Sequence, residues 1–279
     1  MSDVLAEISN LQISFKDENG VLRPAVRNLS LTLGREKLGI VGESGSGKSL
    51  TGRALVGVLP SGAHVSADRL VFDGVDLQKC SSKERRHLRG NRMGMILQDP
   101  KYSLNPIMPV GKQIIEALRV SKKMSKAKAR DAVYQILEAV QIRDVQRVFK
   151  LYPHEVSGGM AQRIMIAMML VREPDLLIAD EPTSALDVTV QLSVLEILET
   201  LVEKRNMGLI LISHDLGLVN HFCDRVLVMY AGRVVEELQA NKLYEAKHPY
   251  TQGLLNCMPS INGSLGPLPV LDRDPNWLN

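Results

Sequence analysis

The segment 42–49 reads Gly-Glu-Ser-Gly-Ser-Gly-Lys-Ser and lies between an apolar run, residues 38–41, and a predicted helix over 48–58. Such glycines let the backbone wrap around an anion with its N–H groups pointing at phosphate oxygens, and the helix presents its positive end to the same anion. We therefore predict a phosphate-binding loop rather than an ordinary glycine-rich turn. Lys48 is expected to reach the β- and γ-phosphates, and the Ser49 hydroxyl to bind Mg²⁺. The residues assigned to the nucleotide are Gly42, Glu43, Ser44, Gly45, Ser46, Gly47, Lys48 and Ser49.

A second apolar run, residues 176–179, ends in two carboxylates, Asp180 and Glu181. In open α/β sheets ligands bind at the carboxyl ends of the strands, so both side chains are expected at the rim of the sheet. We predict that Asp180 holds Mg²⁺, directly or through water, and that Glu181 orients and deprotonates the attacking water. An apolar strand ending in Asp-Glu is common on its own; it points to nucleotide hydrolysis because it follows a phosphate loop.

These residues need strands and helices to position them, and the hydrophobic pattern alternates between the two. Short apolar runs alternating with helical segments imply a parallel sheet covered on both faces. Residues 100–171 interrupt that alternation and are predicted to form an inserted helical subdomain. Strands are predicted over 4–15, 26–33, 38–41, 93–97, 176–179, 208–212 and 225–230, with a hairpin over 70–77 that turns at Asp73-Gly74. Helices are predicted over 48–58, 82–92, 126–142 capped by Ser125, 158–171 after Ser157, and 190–203.

Composition limits the function classes. The chain has 279 residues, and 45% of them are hydrophobic, which suffices for a full core. A net charge of +3 is too small to favour nucleic acid as the main ligand. The spacing of Cys80, Cys223 and Cys257 suggests neither a zinc site nor a disulfide framework. No signal peptide is evident and no apolar run approaches the roughly 20 residues of a membrane span, so we expect a soluble chain that reaches membranes through partners.

A third motif discriminates among phosphate-loop proteins. Residues 156–163 read Val-Ser-Gly-Gly-Met-Ala-Gln-Arg and open a predicted helix whose N–H groups form a second anion site. The motif resembles the signature sequence of the ABC ATPase family, apart from Val156 and Met160, where many members have Leu and Gln. The resemblance implies that Ser157, Gly158 and Gly159 of one subunit close on the ATP held by another. A plain phosphate-loop kinase or GTPase lacks this helix.

Further residues match the same family in order. Gln98 resembles the glutamine that contacts Mg²⁺ and water and links the site to the helical insert. His214 resembles the switch histidine near the γ-phosphate, and Asp187, in Ser184-Ala185-Leu186-Asp187, the loop at the subunit interface. Phe15 lies where the family usually keeps an aromatic that stacks on adenine, although a strand-core role is an equal alternative. Because the guanine element Asn-Lys-x-Asp is lacking after Asn241-Lys242, ATP is preferred over GTP.

The resemblance, which covers residues 5–258, implies a fold. It is an α/β P-loop NTPase of the ABC nucleotide-binding type, with a small antiparallel β subdomain and an inserted α-helical subdomain at about 100–171. The ATPase domain is expected over 1–258. Residues 259–279, rich in Pro, Gly and Asn, are expected to form an irregular tail that Trp277 pins to the domain.

Two stretches narrow the branch within the family. Residues 98–106, Gln-Asp-Pro-Lys-Tyr-Ser-Leu-Asn-Pro, and His248-Pro249-Tyr250-Thr251 resemble the oligopeptide, dipeptide and nickel importer ATPases. That resemblance implies a second, distinct ATPase subunit, two transmembrane permease subunits, an external solute-binding protein and a place on the cytoplasmic face of the inner membrane. It favours peptides as the solute over nickel or another metal chelate. It also argues against an exporter.

Two other possibilities remain from the same resemblance. A non-transport ABC ATPase is the alternative class, but such proteins usually carry two cassettes or a long coiled-coil insert, which 279 residues do not accommodate. Some family members bear a cysteine-rich iron–sulfur segment beyond the His-Pro-Tyr-Thr stretch. Cys257 alone cannot hold a cluster, which needs about four thiolates, so no iron–sulfur centre is expected.

Overall fold

The structure, a computed structural model, describes residues 4–98, 103–121, 124–183, 187–258 and 277. The chain divides into two compact units: unit 1 comprises Met1–Gln78 with Ile210–Asn279, and unit 2 comprises Lys79–Leu209. The strands are β1 (Ala6–Lys16), β2 (Leu22–Leu33), β3 (Lys37–Val41), β4 (His64–Ser66), β5 (Arg69–Phe72), β6 (Val75–Asp76), β7 (Met93–Ile96), β8 (Leu176–Asp180), β9 (Gly208–Ile212), β10 (Arg225–Tyr230) and β11 (Arg233–Gln239).

The helices include those that the sequence predicted and several that it did not. They are α1 (Lys48–Val56), α2 (Ser82–Asn91), α3 (Val110–Ser121), α4 (Lys126–Ala139), α5 (Val145–Val148), α6 (Gly158–Leu170), α7 (Val188–Lys204), α8 (Leu216–Phe222) and α9 (Pro249–Asn256). Two short 3₁₀ helices lie at Pro153–Glu155 and Ala240–Glu245. The predicted helices α1, α2, α4, α6 and α7 are confirmed to within three residues at each end. Within the part of the chain that the structure describes, no helix is long and apolar enough to cross a membrane.

The antiparallel sheet of unit 1 has β1 at its centre, with β2 on one side and β4 and β5 on the other. The alternation of β1 is imperfect because Asn10 (φ 52°) adopts the left-handed conformation and shifts the register between Ile8 and Leu11. Asn28 (φ 49°) does the same on β2. Asparagine tolerates this conformation, and each bulge re-aims the following side chains. The buried positions therefore change from even to odd along both strands.

The second sheet of unit 1 carries the phosphate-loop segment. β3 and β10 run parallel, and β11 returns antiparallel to β10 after a turn at Ala231 and Gly232. The end of β9 lies beside β3, where the Ser213 N–H donates to the Ile40 carbonyl at 3.1 Å. Residues Leu38, Ile40 and Val41 are fully buried, as predicted for a strand covered on both faces.

Unit 2 contains the parallel pair β7–β8 and the helices α2 to α7. Ile96 lies opposite Ala179, so the carboxyl ends of the two strands meet at one edge. The predicted cap is confirmed, since Ser125 accepts the Lys128 N–H at 3.3 Å. Ser157 likewise caps α6 by accepting the Met160 N–H at 3.3 Å. Such caps satisfy donors that a helix start leaves unpaired. The predicted insert boundary, 100–171, stays a prediction.

Candidate nucleotide-binding and hydrolysis site

The predicted phosphate loop connects β3 to α1 in unit 1. Gly42 has φ 144°, and a Cβ built there would lie 2.1 Å from the Met229 carbonyl oxygen of β10. Gly47 caps α1 with φ 100°, and a Cβ there would lie 2.9 Å from the Ala25 carbonyl oxygen. Both positions demand glycine because the conformation and the space exclude a side chain. The loop conformation is thus fixed by the strands on which it packs.

The lysine of the loop is turned back onto the loop itself. Lys48 is only 5% exposed, and its Nζ donates to the carbonyl oxygens of Gly42 and Glu43, each at 2.8 Å. A further backbone bond joins the Ser46 N–H to the Glu43 carbonyl at 3.2 Å. Charge-assisted bonds of this kind orient the ammonium group at the start of α1, whose N-terminal end is electropositive. The arrangement suits the binding of an anion.

His214 follows β9 in the same unit. Because the Ser213 N–H bonds to the Ile40 carbonyl, the end of β9 lies beside the end of β3, from which the phosphate loop departs. His214 is exposed, and the next residue, Asp215, caps α8 by accepting the Leu218 N–H at 2.9 Å. The histidine is therefore held between a buried strand and a capped helix.

Phe15 lies on β1 opposite Arg23 of β2. Arg23 precedes Ala25 by two residues, and the Ala25 carbonyl oxygen packs against Gly47. Its side chain is half-buried, whereas Ile13 on the same strand is fully buried. Phe15 is therefore not a fully buried core residue. Stacking on adenine stays a prediction.

The predicted catalytic residues of unit 2 meet at the ends of β7 and β8. Asp180 closes β8 and is 3% exposed. Gln98 Nε2 donates a hydrogen bond to Glu181 Oε2 at 3.1 Å. Glu181 has φ 47°, a left-handed conformation that a glutamate rarely adopts. The structure therefore brings Gln98 and Glu181 together beside Asp180, and holds Glu181 with an unusual backbone.

Gln162 supports this group, although no role was predicted for it. It lies in the middle of the apolar helix α6, is 1% exposed, and its Nε2 donates to the Pro182 carbonyl. The bond ties the segment that follows Glu181 to α6. The only signal in the sequence was a weak one: an amide beside Arg163, just before an apolar helical run.

The signature motif opens α6. Ser157 and Gly158 are exposed, and a Cβ on Gly158 would meet nothing within 4 Å. A Cβ on Gly159 would instead lie 2.8 Å from Val190 Cγ1, at the start of α7. Asp187 caps α7 by accepting the Val190 N–H at 3.0 Å. The start of α6 and the start of α7 are therefore packed together, with Ser157 and Asp187 at their exposed tips.

Some predicted features lie outside the described residues. These are the loop segment Asp99–Tyr102, the residues Ser184, Ala185 and Leu186, and most of the predicted tail, residues 259–276 and 278–279. The exception in the tail is Trp277, whose ring lies 5.5 Å from that of Tyr230 and 5.6 Å from that of Tyr250.

The site residues lie largely within a region that matches a known protein family. The model of the ABC transporter family matches residues 26–184, which include the phosphate loop, the signature motif and the Asp180-Glu181 pair. The chain therefore belongs to the ABC transporter family.

Within that family the chain is similar to peptide transport proteins. It is 47% identical over 259 residues to the dipeptide transport ATP-binding protein DppD of Escherichia coli, with 92% of this chain and 79% of the relative covered. It is 46% identical over 263 residues to the oligopeptide transport ATP-binding protein OppD of Salmonella typhimurium, covering 94% and 78%. These similarities bear out the predicted branch.

Solved structures support the predicted fold. The dimeric structure of MJ0796, a bacterial ABC transporter cassette, superimposes with a TM-score of 0.74 at 23% identity, covering 84% of this chain and 98% of that one. CbiO1 from Clostridium perfringens, part of the transporter complex cbiONQ, gives 0.74 at 27% identity, covering 88% and 92%. The predicted class, an ABC cassette with antiparallel and helical parts, is confirmed.

Proposed function

We propose that this chain is the ATP-binding and ATP-hydrolysing subunit of an ABC importer of peptides. The observation that carries the proposal is the buried Lys48, held by the carbonyls of Gly42 and Glu43 at the start of α1, in a member of the ABC transporter family. The peptide assignment rests on the similarity to DppD and OppD.

Different residues are proposed to bind the phosphates, the adenine and the Mg²⁺ of MgATP. Lys48 and the backbone of the loop would bind the phosphates of ATP, with Phe15 against the adenine. Ser49, Gln98 and Asp180 supply hard oxygen ligands of the kind that Mg²⁺ prefers. When bound, Mg²⁺ neutralises charge on the phosphate oxygens. A set with a single carboxylate suits an ion that also binds phosphate and water.

Hydrolysis needs a base and a group that orients it. Glu181 is proposed as the general base for the attacking water, and the hydrogen bond from Gln98 fixes its carboxylate. His214, exposed beyond β9, is proposed to contact the γ-phosphate. Glu181 would accept the proton of the water as its oxygen bonds to the γ-phosphorus and the bond to ADP breaks. Lys48 would stabilise the negative charge on the phosphate oxygens.

The signature motif is proposed to act in a second subunit. Ser157, Gly158 and Gly159 form an exposed, capped helix start suited to an anion, and Asp187 lies at the adjoining helix start. Two ATPase subunits would enclose each ATP between one phosphate loop and the partner's signature helix. Loss of the γ-phosphate would remove the charge-assisted contacts and open the pair.

The wider assembly follows from the importer assignment. We propose a distinct second ATPase subunit, two transmembrane permease subunits and an external solute-binding protein, with this chain on the cytoplasmic face of the inner membrane. Identifying the ligand bound to the co-purified external protein by mass spectrometry tests the solute. Recovery of a metal chelate instead of peptides would overturn the peptide assignment.

The activity is tested with two variants of the assembled transporter. Lys48→Ala should weaken ATP binding, and equal affinity would reject the phosphate-loop role. Glu181→Gln should retain ATP binding while turnover falls about 10²-fold or more, the effect of losing a general base. Glu196→Gln, the same change at an exposed position of α7, is the matched control and should leave turnover unchanged.

A further inference from the structure

A tyrosine far along the chain contacts the phosphate loop. Tyr250 is fully buried at the start of α9, and its hydroxyl oxygen accepts a hydrogen bond from the Glu43 N–H at 2.9 Å. The backbone of α9 is fixed there as well, because His248 Nδ1 accepts the Tyr250 N–H at 3.2 Å. The contact joins residues 207 positions apart within unit 1.

The two ends of one peptide group are held by these contacts. The Glu43 N–H and the Gly42 carbonyl belong to the same planar peptide unit. The N–H donates to Tyr250, and the carbonyl accepts from Lys48 Nζ at 2.8 Å. Because the unit is rigid, an acceptor on its N–H side sets the direction of the carbonyl that orients the lysine. Tyr250 thus influences the orientation of Lys48 through a single peptide plane.

An aromatic cluster fixes the Tyr250 ring in turn. The rings of Tyr230 and Tyr250 lie 4.5 Å apart, and Trp277 packs against both, at 5.5 Å from Tyr230 and 5.6 Å from Tyr250. Tyr230 ends β10 directly after Met229, whose carbonyl excludes any side chain at position 42. Aromatic pairs at such distances stabilise one another. The packed aromatic rings therefore hold the Tyr250 hydroxyl in place against the phosphate loop.

We propose that Tyr250 is a positioning residue for nucleotide binding, acting through the peptide between Gly42 and Glu43 on Lys48. The proposal rests on the proposed function, since it requires the phosphates of ATP to lie on this loop. A purely structural role is the alternative: the ring would fill the core, and its hydroxyl would only satisfy a donor. The two roles differ in what loss of the hydroxyl alone does.

The test is Tyr250→Phe in the assembled transporter, compared with Tyr230→Phe. Both changes remove one hydroxyl and keep the ring. Among the described residues, however, the Tyr230 hydroxyl makes no hydrogen bond. We expect Tyr250→Phe to raise the Kd and KM for MgATP about tenfold, the effect of losing one hydrogen bond from an oriented group, with kcat changed less than twofold. Tyr230→Phe should change neither constant by more than twofold.

A double-mutant cycle then tests the route through Lys48. If Tyr250 acts by orienting that lysine, Tyr250→Phe should change the Kd for MgATP by less than twofold in a Lys48→Ala background. A full tenfold effect there would overturn the route. A lower melting temperature for Tyr250→Phe with unchanged Kd and KM would leave only the structural role and overturn the proposal. Failure of the wild-type protein to bind MgATP would instead reject the proposed function.

Discussion

Gln98 and Glu181 follow neighbouring parallel strands and are joined by a hydrogen bond of 3.1 Å from the amide to the carboxylate. A carboxylate that must accept a proton from water is more effective when a neighbour fixes its orientation. The pair therefore links the end of β7 to the group that we propose as the base.

Gln98→Ala should lower ATP turnover about tenfold, within the range seen when an orienting partner of a functional group is removed. Glu181 would keep its carboxylate but lose the donor on Oε2. The measurement is steady-state ATPase activity of the assembled transporter. Gln135→Ala, on the exposed face of α4, serves as control and should leave turnover unchanged. Equal turnover in both variants would rule out a role for the pair.

Gly159→Ala should lower the stability of the fold, whereas Gly158→Ala should lower ATPase activity. At position 159 the new methyl group would meet Val190 at 2.8 Å, so we expect unfolding free energy to fall by about 1–3 kcal/mol, as for overpacked sites. At position 158 it would meet nothing, so stability should change little. If the motif binds a partner's nucleotide, ATPase activity of the Gly158→Ala assembly should nevertheless drop. Chemical denaturation and ATPase assays separate the two effects.

Gly42→Ala should be strongly destabilising, by about 2 kcal/mol or more, because the methyl group would overlap the Met229 carbonyl oxygen and the backbone has φ 144°. Gly45→Ala, in the same loop with φ 82° but with open space around it, carries only the conformational cost of about 1 kcal/mol. Urea midpoints of the two variants give the comparison. Similar midpoints would show that β10 does not constrain the loop as described.

Cys223 should react far more slowly with thiol reagents than Cys257. Burial raises the pKa of the Cys223 thiol well above its ordinary value, and the charge of Asp224 raises it further, against a smaller opposing effect of Lys37. Since the thiolate is the nucleophile, little of it exists at pH 8. Cys257 is only partly buried. Timed alkylation with peptide mapping by mass spectrometry checks this, with urea-unfolded protein as the control. Equal rates in the folded protein would contradict the burial.

The local elements were largely predictable from sequence, because each depends on neighbours in the chain. The caps Ser125 and Ser157 and the Asp73-Gly74 turn, with φ 45° and 78°, follow from residue type alone. The bulges at Asn10 and Asn28 were not predicted, because a one-residue shift in burial blurs the alternation that reveals a strand. Helix α3 and strand β4 were likewise not predicted individually.

The residues of the candidate site were predicted from the sequence, but the hydrogen bonds between them were not. Gln98 and Glu181 are 83 residues apart, and only the parallel register of β7 and β8 brings them together. Tyr250 was recognised as part of a branch motif, yet its contact with Glu43 depends on the packing of α9 in unit 1. Long-range pairing of this kind is set by tertiary structure, which no local pattern encodes.

The left-handed backbone of Glu181 has a consequence for the evolution of this chain. Asparagine or glycine adopts that conformation with less penalty, so local folding preference alone would select one of them. A glutamate there costs about 1–3 kcal/mol of folding free energy and keeps a carboxylate in that orientation. Selection for thermal stability alone would therefore favour replacement of Glu181, and the proposed general base would be lost with it.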